Sequence, residues 1–179
     1  MALPNRSSAS EPPFAPQPLV DADAPTVATP LVADRVATAM TRVRTTRTGD
    51  GRCLEVSHVV GVPASDAWDP LVDTTQWPAW SPTVIGVEAT DRRVRADTTG
   101  RIRVPGVWLP FRITSCTERR WAWRVAGLPA TGHRVDDLGD HRCRIAFELP
   151  LSGSGYVPVC LRALENLEEL LDDRAAMAQ

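Results

Sequence analysis

Lysine is absent from this 179-residue chain; all 20 basic side chains are arginine. That excludes a Schiff-base lysine and a phosphate-loop lysine outright. No apolar run approaches the roughly 18 residues a membrane-crossing helix needs. The opening MALPNRSSASEPPFAPQPLV has no apolar stretch of the kind a secretory signal carries. The formal net charge is −2, so the basic excess of a dedicated nucleic-acid binder is missing. Cysteine and histidine are sparse: Cys53, Cys116, Cys143 and Cys160, with His58, His133 and His141. No two cysteines have CxxC or finger-type spacing, so no metal and no cofactor is expected, and the thiols read as reduced, mostly buried hydrophobes. There is no Gly-x-Ser-x-Gly nucleophile elbow. These absences, with 43% hydrophobic and 23% charged residues, lead us to expect one cytoplasmic globular domain plus some extra chain.

What is present is unevenly distributed. Seven of the 16 prolines fall within residues 1–39, and all six tryptophans lie after residue 67. A Pro/Ala/Ser segment with Phe14 as its one aromatic residue buries too little surface to offset ordering entropy, so residues 1–39 are expected to be disordered. Residues 40–51 then read as a lead-in and 52–173 as the domain. Met40 offers an alternative native start.

Within the domain, residues 52–60 alternate and are rich in β-branched side chains, as a strand does. VPASDAWDPLVD reads as a short helix with Ser65 as N-cap and a kink or split at Pro70. A second short helix or turn covers TTQWPAW. Strands are expected at 83–89, 98–104, 109–117, 121–126, 131–138 and 142–149, separated by Gly- and Asp-containing turns. In the last of these, Cys143, Ile145, Phe147 and Leu149 share one face. Val157, Leu161, Leu164, Leu167 and Leu171 recur at spacings of three and four, which predicts a long amphipathic terminal helix. Consecutive strands with short loops imply an antiparallel meander, and the helix must bury its stripe against the concave face. The expected fold class is α+β.

Several stretches together resemble a known family. They are Val62-Pro63-Ala64-Ser65-x-Ala67-Trp68; Asp73 followed by Trp77-Pro78-Ala79-Trp80-Ser81-Pro82; Val87-Glu88; Glu118-Arg119-Arg120-Trp121-Ala122-Trp123-Arg124; His133 ahead of Leu138-Gly139-Asp140; and the Leu-rich final helix. Over roughly residues 52–172 the chain is similar to the SRPBCC superfamily (START-like, helix-grip fold), in its polyketide cyclase/dehydrase-like branch. Pro70 departs from the usual pattern. The resemblance implies a seven-stranded antiparallel sheet curved around the C-terminal helix, with two short helices after the first strand. It also implies an apolar cavity between sheet and helix, with Trp80 near its mouth.

The ligand-binding set expected from residues and resemblance together is Trp80, Ile102, Val104, Trp108, Phe111, Trp121, Trp123, His133, Phe147 and Leu164. Aromatic walls suit an apolar pocket, although several tryptophans also serve to fill a small core. His133 shares a predicted strand face with Thr131 and Val135. It is the first candidate for a polar group in the cavity, able to give or take a proton, but no carboxylate is identifiable to orient it, so no catalytic residue is assigned. Asp66, Asp69 and Asp73 read as a solvated helix face, and Asp136, Asp137 and Asp140 as a hairpin turn. Arg92, Arg93, Arg95, Arg101 and Arg103 form a basic cluster balanced by acids. Gly153-Ser154-Gly155 reads as a flexible lead into the last helix.

Three functions remain open. One is binding of an apolar or amphipathic small molecule of lipid, quinone, polyketide or isoprenoid type. Another is a cyclase/dehydratase that uses His133 or an inward arginine. The third is an interaction module with a closed core and no ligand. The expected partner is a small apolar ligand, with no nucleic acid and no membrane span.

Overall fold

The computed structural model describes residues 41–48 and 51–178; the expectations for residues 1–39 and for a start at Met40 lie outside them. Strands β1 (Arg42–Thr48) and β2 (Gly51–Val60) come first. Helix α1 (Ala64–Val72), a 3-10 turn (Thr74–Gln76) and helix α2 (Trp77–Trp80) follow. Strands β3 (Gly86–Ala89), β4 (Thr99–Val104), β5 (Val107–Thr117), β6 (Arg120–Val125), β7 (Leu128–Gly139) and β8 (Arg142–Pro150) lead through a 3-10 turn (Leu151–Tyr156) into α3 (Val157–Met177). The described strands form one sheet in the order β1-β2-β8-β7-β6-β5-β4-β3, antiparallel at each pairing.

The sheet has eight strands rather than seven, because the lead-in supplies β1. Its sequence RVRTTRT has no apolar face, so alternation carries no burial signal, and all but two of its residues are exposed. β1 nevertheless pairs along its length with β2, from Arg42 opposite Ser57 to Thr48 opposite Gly51. Its Arg44 meets Glu55 at 2.8 Å.

The convex face carries a ladder of charges across five strands. Arg44 on β1 pairs with Glu55 on β2, and Glu55 with Arg134 on β7. Arg134 pairs with Glu148 on β8, and Glu148 with Arg120 on β6. Burial pushes the Glu55 carboxyl up, but Arg44 and Arg134 outweigh it and hold the group below its usual range.

Helix α1 departs from expectation at two residues. Its N-cap is Pro63, whose carbonyl accepts the Asp66 and Ala67 amides, and the Ser65 hydroxyl donates to Asp66 instead. Pro70 does not split the helix. The carbonyl that loses its i+4 donor belongs to Asp66, an exposed residue that water can reach. Asp73 is not solvated: it is buried, caps the following 3-10 turn through Thr75, and takes Arg92 at 2.7 Å. The Arg92 guanidinium holds its carboxyl far below the usual carboxylate range, against the opposing effect of burial. Other members of the basic cluster are paired too, Arg93 with Asp69, Arg95 with Asp91, and Arg101 with Glu88.

α3 lies on the concave face. Its buried stripe is Cys160, Ala163, Leu164, Leu167 and Leu171, a helical spacing shifted from the predicted one at its N-terminal end. Val157 and Leu161 are half-buried. Small side chains therefore face the sheet in the first turns and leucines in the later ones.

Candidate ligand cavity

The change from small to large side chains along α3 leaves a hollow of about 490 Å3 between helix and sheet. Cys160 and Ala163 form its helical wall. Ile102, Val104, Leu109, Trp121, Trp123, Phe147 and Leu149 form its sheet wall. Its mouth lies where Pro105 of the β4–β5 turn, Pro129 at the start of β7, Pro150, Thr83 and Tyr156 converge. There the Thr83 and Tyr156 hydroxyls are hydrogen-bonded at 2.6 Å, bridging the loop after α2 to the turn before α3. The β6–β7 turn at this end has both central residues, Ala126 and Gly127, in the left-handed region, as a tight hairpin requires.

Trp77 and Trp80 are held by the end of α1. A helix leaves its last four carbonyls without intrahelical donors. Here the Asp73 amide donates to Asp69, the Trp80 indole to Pro70 (3.0 Å), the Trp77 indole to Leu71 (3.0 Å) and the Val94 amide to Val72. Each freed carbonyl thus has a partner, and two of the partners are cavity-lining indoles. Asn166 on α3 donates to the Trp80 carbonyl, tying the same corner to the helix.

Trp77 stacks on Trp121 with centroids 5.4 Å apart, and Trp123 meets both rings edge-on. The Trp123 indole donates to the Thr131 hydroxyl at 3.2 Å, and that hydroxyl lies 3.4 Å from His133 Nε2. When Thr131 donates to Nε2, the proton sits on Nδ1. That nitrogen and the Trp121 indole N–H are then buried donors without an acceptor among the described residues. Burial pushes the His133 pKa down to about 3, so the imidazole is neutral near pH 7. Ser81, Thr83, Thr131, His133 and Tyr156 are the polar members of the lining besides the indoles and the Cys160 thiol; it contains no carboxylate and no arginine. The inward arginine considered from sequence therefore has no counterpart. The interior is also not filled as a closed-core module would require.

Seven of the ten expected side chains lie on the cavity wall: Trp80, Ile102, Val104, Trp121, Trp123, His133 and Phe147. Three do not. Trp108 is on the convex face, 37% exposed, beneath the Arg101 guanidinium at 4.9 Å. It is three residues from Phe111, an odd spacing that puts the two on opposite faces of β5. Phe111 points inward but is buried behind Trp77 and Trp123, over Gly100, where an added Cβ would meet its ring at 2.9 Å. Leu164 is core, 1% exposed, and does not line the hollow. Leu109, which does, was legible by its even spacing from Phe111 and Ile113. Tyr156, the single tyrosine, carried no periodic signal.

Residues 51–169 match the family described as polyketide cyclase/dehydrase and lipid transport. Among solved structures, the XoxI protein of Bacillus cereus aligns with a TM-score of 0.54 at 12% identity, over 68% of this chain and 96% of that one. The Zhui aromatase/cyclase from Streptomyces sp. R1128 aligns with a TM-score of 0.53 at 14% identity, over 75% and 96%. A protein from Thermobifida fusca aligns with a TM-score of 0.54 at 17% identity, over 65% and 91%. At these identities the likeness shows the fold. No curated protein matches the sequence.

Proposed function

This chain belongs to the polyketide cyclase/dehydrase and lipid transport family, and we propose that it binds an apolar or amphipathic small molecule of lipid, quinone, polyketide or isoprenoid type between the sheet and α3. One observation carries this reading: a hollow of about 490 Å3 whose wall is aromatic and aliphatic apart from a few hydroxyls and one neutral imidazole. Its size and polarity are those of a small-molecule site. Thr131 and His133 supply the orienting hydrogen bonds, and the half-buried Trp123 supplies aromatic surface.

A second reading rests on the Thr131–His133 pair. A neutral imidazole beside a bound β-hydroxy ketone is able to take the proton α to the carbonyl and return it to the departing hydroxyl, releasing water. Binding is favoured because no carboxylate lines the cavity to stabilise the imidazolium this step creates.

Titration with a fatty acid, a quinone and an aromatic polyketide mimic, followed by tryptophan fluorescence, tests both. The wild type should bind at least one. Trp123→Ala should cost about 1–3 kcal/mol of affinity, the scale of burying one large side chain. Absence of binding by every class would overturn the binding reading. Release of water from the polyketide mimic, abolished by His133→Ala, would establish the enzymatic one.

A further inference from the structure

A hydroxyl, an imidazole and a carboxylate converge where β1, β2 and α3 meet, and none of the three lines the ligand cavity. The register that sets Arg42 opposite Ser57 brings Thr41, just before β1, beside His58 on β2. His58 is two residues from the core side chain Val56, so it points to the concave face, and it is 4% exposed. Glu168 reaches it from α3. Thr41 Oγ1 lies 2.6 Å from His58 Nδ1, and Glu168 Oε2 lies 3.0 Å from Nε2.

Each ring nitrogen thus has a distinct neighbour. His58 Nε2 has no aligned hydrogen bond among the described residues, so Glu168 acts on it through charge. A negative charge on that side favours the tautomer with its proton on Nε2. Nδ1 is then left as an acceptor, and the Thr41 hydroxyl donates to it. A hydroxyl within hydrogen-bond reach of a base that a third group orients is the arrangement that activates a nucleophile. The two nitrogens are exchanged relative to the serine triad of proteases, but the roles are the same. Thr41 itself is exposed, so an acyl donor can reach it. Val43, on the same face, is 50% exposed and offers apolar surface beside the hydroxyl.

We propose that Thr41 is a nucleophile and the site of acylation by an activated carboxylic ester, with His58 as its base and Glu168 as the positioning residue. The Thr41 oxygen forms a bond to the acyl carbon, and the bond from that carbon to the leaving alcohol or phenol oxygen breaks. The hydroxyl proton passes to His58 Nδ1 and then to the departing oxygen. The site is separate from the ligand cavity, so its test is independent of the binding reading.

Incubation of the full chain with p-nitrophenyl acetate near neutral pH tests it, read by nitrophenolate release and by tandem mass spectrometry. Trypsin cleaves after Arg35 and Arg42, giving a peptide in which fragmentation separates Thr41 from Thr38. The wild type should carry the acetyl group on Thr41. Thr41→Val, an exposed change, should remove both that label and the matching burst of nitrophenolate, and Thr41→Ser should keep them. His58→Gln should slow labelling of Thr41 about a hundredfold or more, the usual scale of a lost general base. Proton–nitrogen NMR of the imidazole, which needs no substrate, should show His58 as the Nε2–H tautomer and lose that bias in Glu168→Gln. No acetyl group on Thr41 of the wild type would overturn the inference, as would undiminished labelling in folded His58→Gln or an Nδ1–H tautomer in the wild type.

Discussion

His133 lies face to face on Trp121, with ring centroids 3.9 Å apart and planes 17° from parallel, and meets the edge of Phe147 at 4.9 Å. This sandwich excludes water from the imidazole, which is why its pKa falls to about 3 from an ordinary 6.5. The unfolded chain takes up a proton below about pH 6.5, whereas the folded chain stays neutral at this site until about pH 3. The stability tied to the neutral ring is therefore complete above pH 6.5 and is lost as pH falls toward 3. The slope approaches about 1.4 kcal/mol per pH unit. His133→Phe should remove that component. Urea unfolding midpoints across this range should diverge between the two proteins, and parallel curves would show that the ring is not shielded.

Changes along α3 should separate core from cavity. Leu164→Ala should cost about 2–5 kcal/mol of stability and leave ligand affinity nearly unchanged once folded protein is compared. Ala163→Leu places its added atoms in the hollow, so it should keep the melting temperature within a few degrees while weakening ligand binding at least tenfold. Calorimetry with and without ligand checks both. A large loss of stability in Ala163→Leu would mean that the hollow has no room beside the helix.

Asp73 should matter more than an ordinary helix-face aspartate. It caps the 3-10 turn and accepts hydrogen bonds from Thr75, Gln76 and Arg92. Asp73→Ala should cost about 1–3 kcal/mol through the lost cap and unmet donors. Asp66→Ala, an exposed change on the same helix, should stay within about 0.5 kcal/mol. Because the Asp73 carboxyl titrates far below the unfolded value, its contribution is present at neutral pH and fades only in strong acid. Equal melting temperatures for the two variants would contradict this role.

Periodicity made much of this architecture readable. The β8 alternation from Cys143 to Leu149, the inward set Trp121, Trp123 and Val125, and the leucines of α3 follow from spacing alone. Order and spacing of the tryptophan-rich segments pointed to the family. What spacing missed has physical causes. β1 is held by backbone pairing and polar contacts such as the Arg44–Glu55 ion pair, so it has no apolar face to detect. Trp108 is an aromatic residue stabilised on the convex face by a cation, against the usual association of tryptophan with burial. The cavity itself depends on where small side chains fall, and Cys160 and Ala163 look like ordinary members of a helix stripe.

The hydrogen bonds from Trp77 and Trp80 to the end of α1 bear on the thermodynamics of an empty site. Inward collapse of either indole would strand a main-chain oxygen that water cannot readily reach. The hollow is thus propped open by backbone chemistry before any guest arrives. A preorganised site incurs little ordering entropy on association. Occupancy should therefore leave the tryptophan rotamers unchanged and appear mainly as a negative heat-capacity change from dehydrating apolar walls.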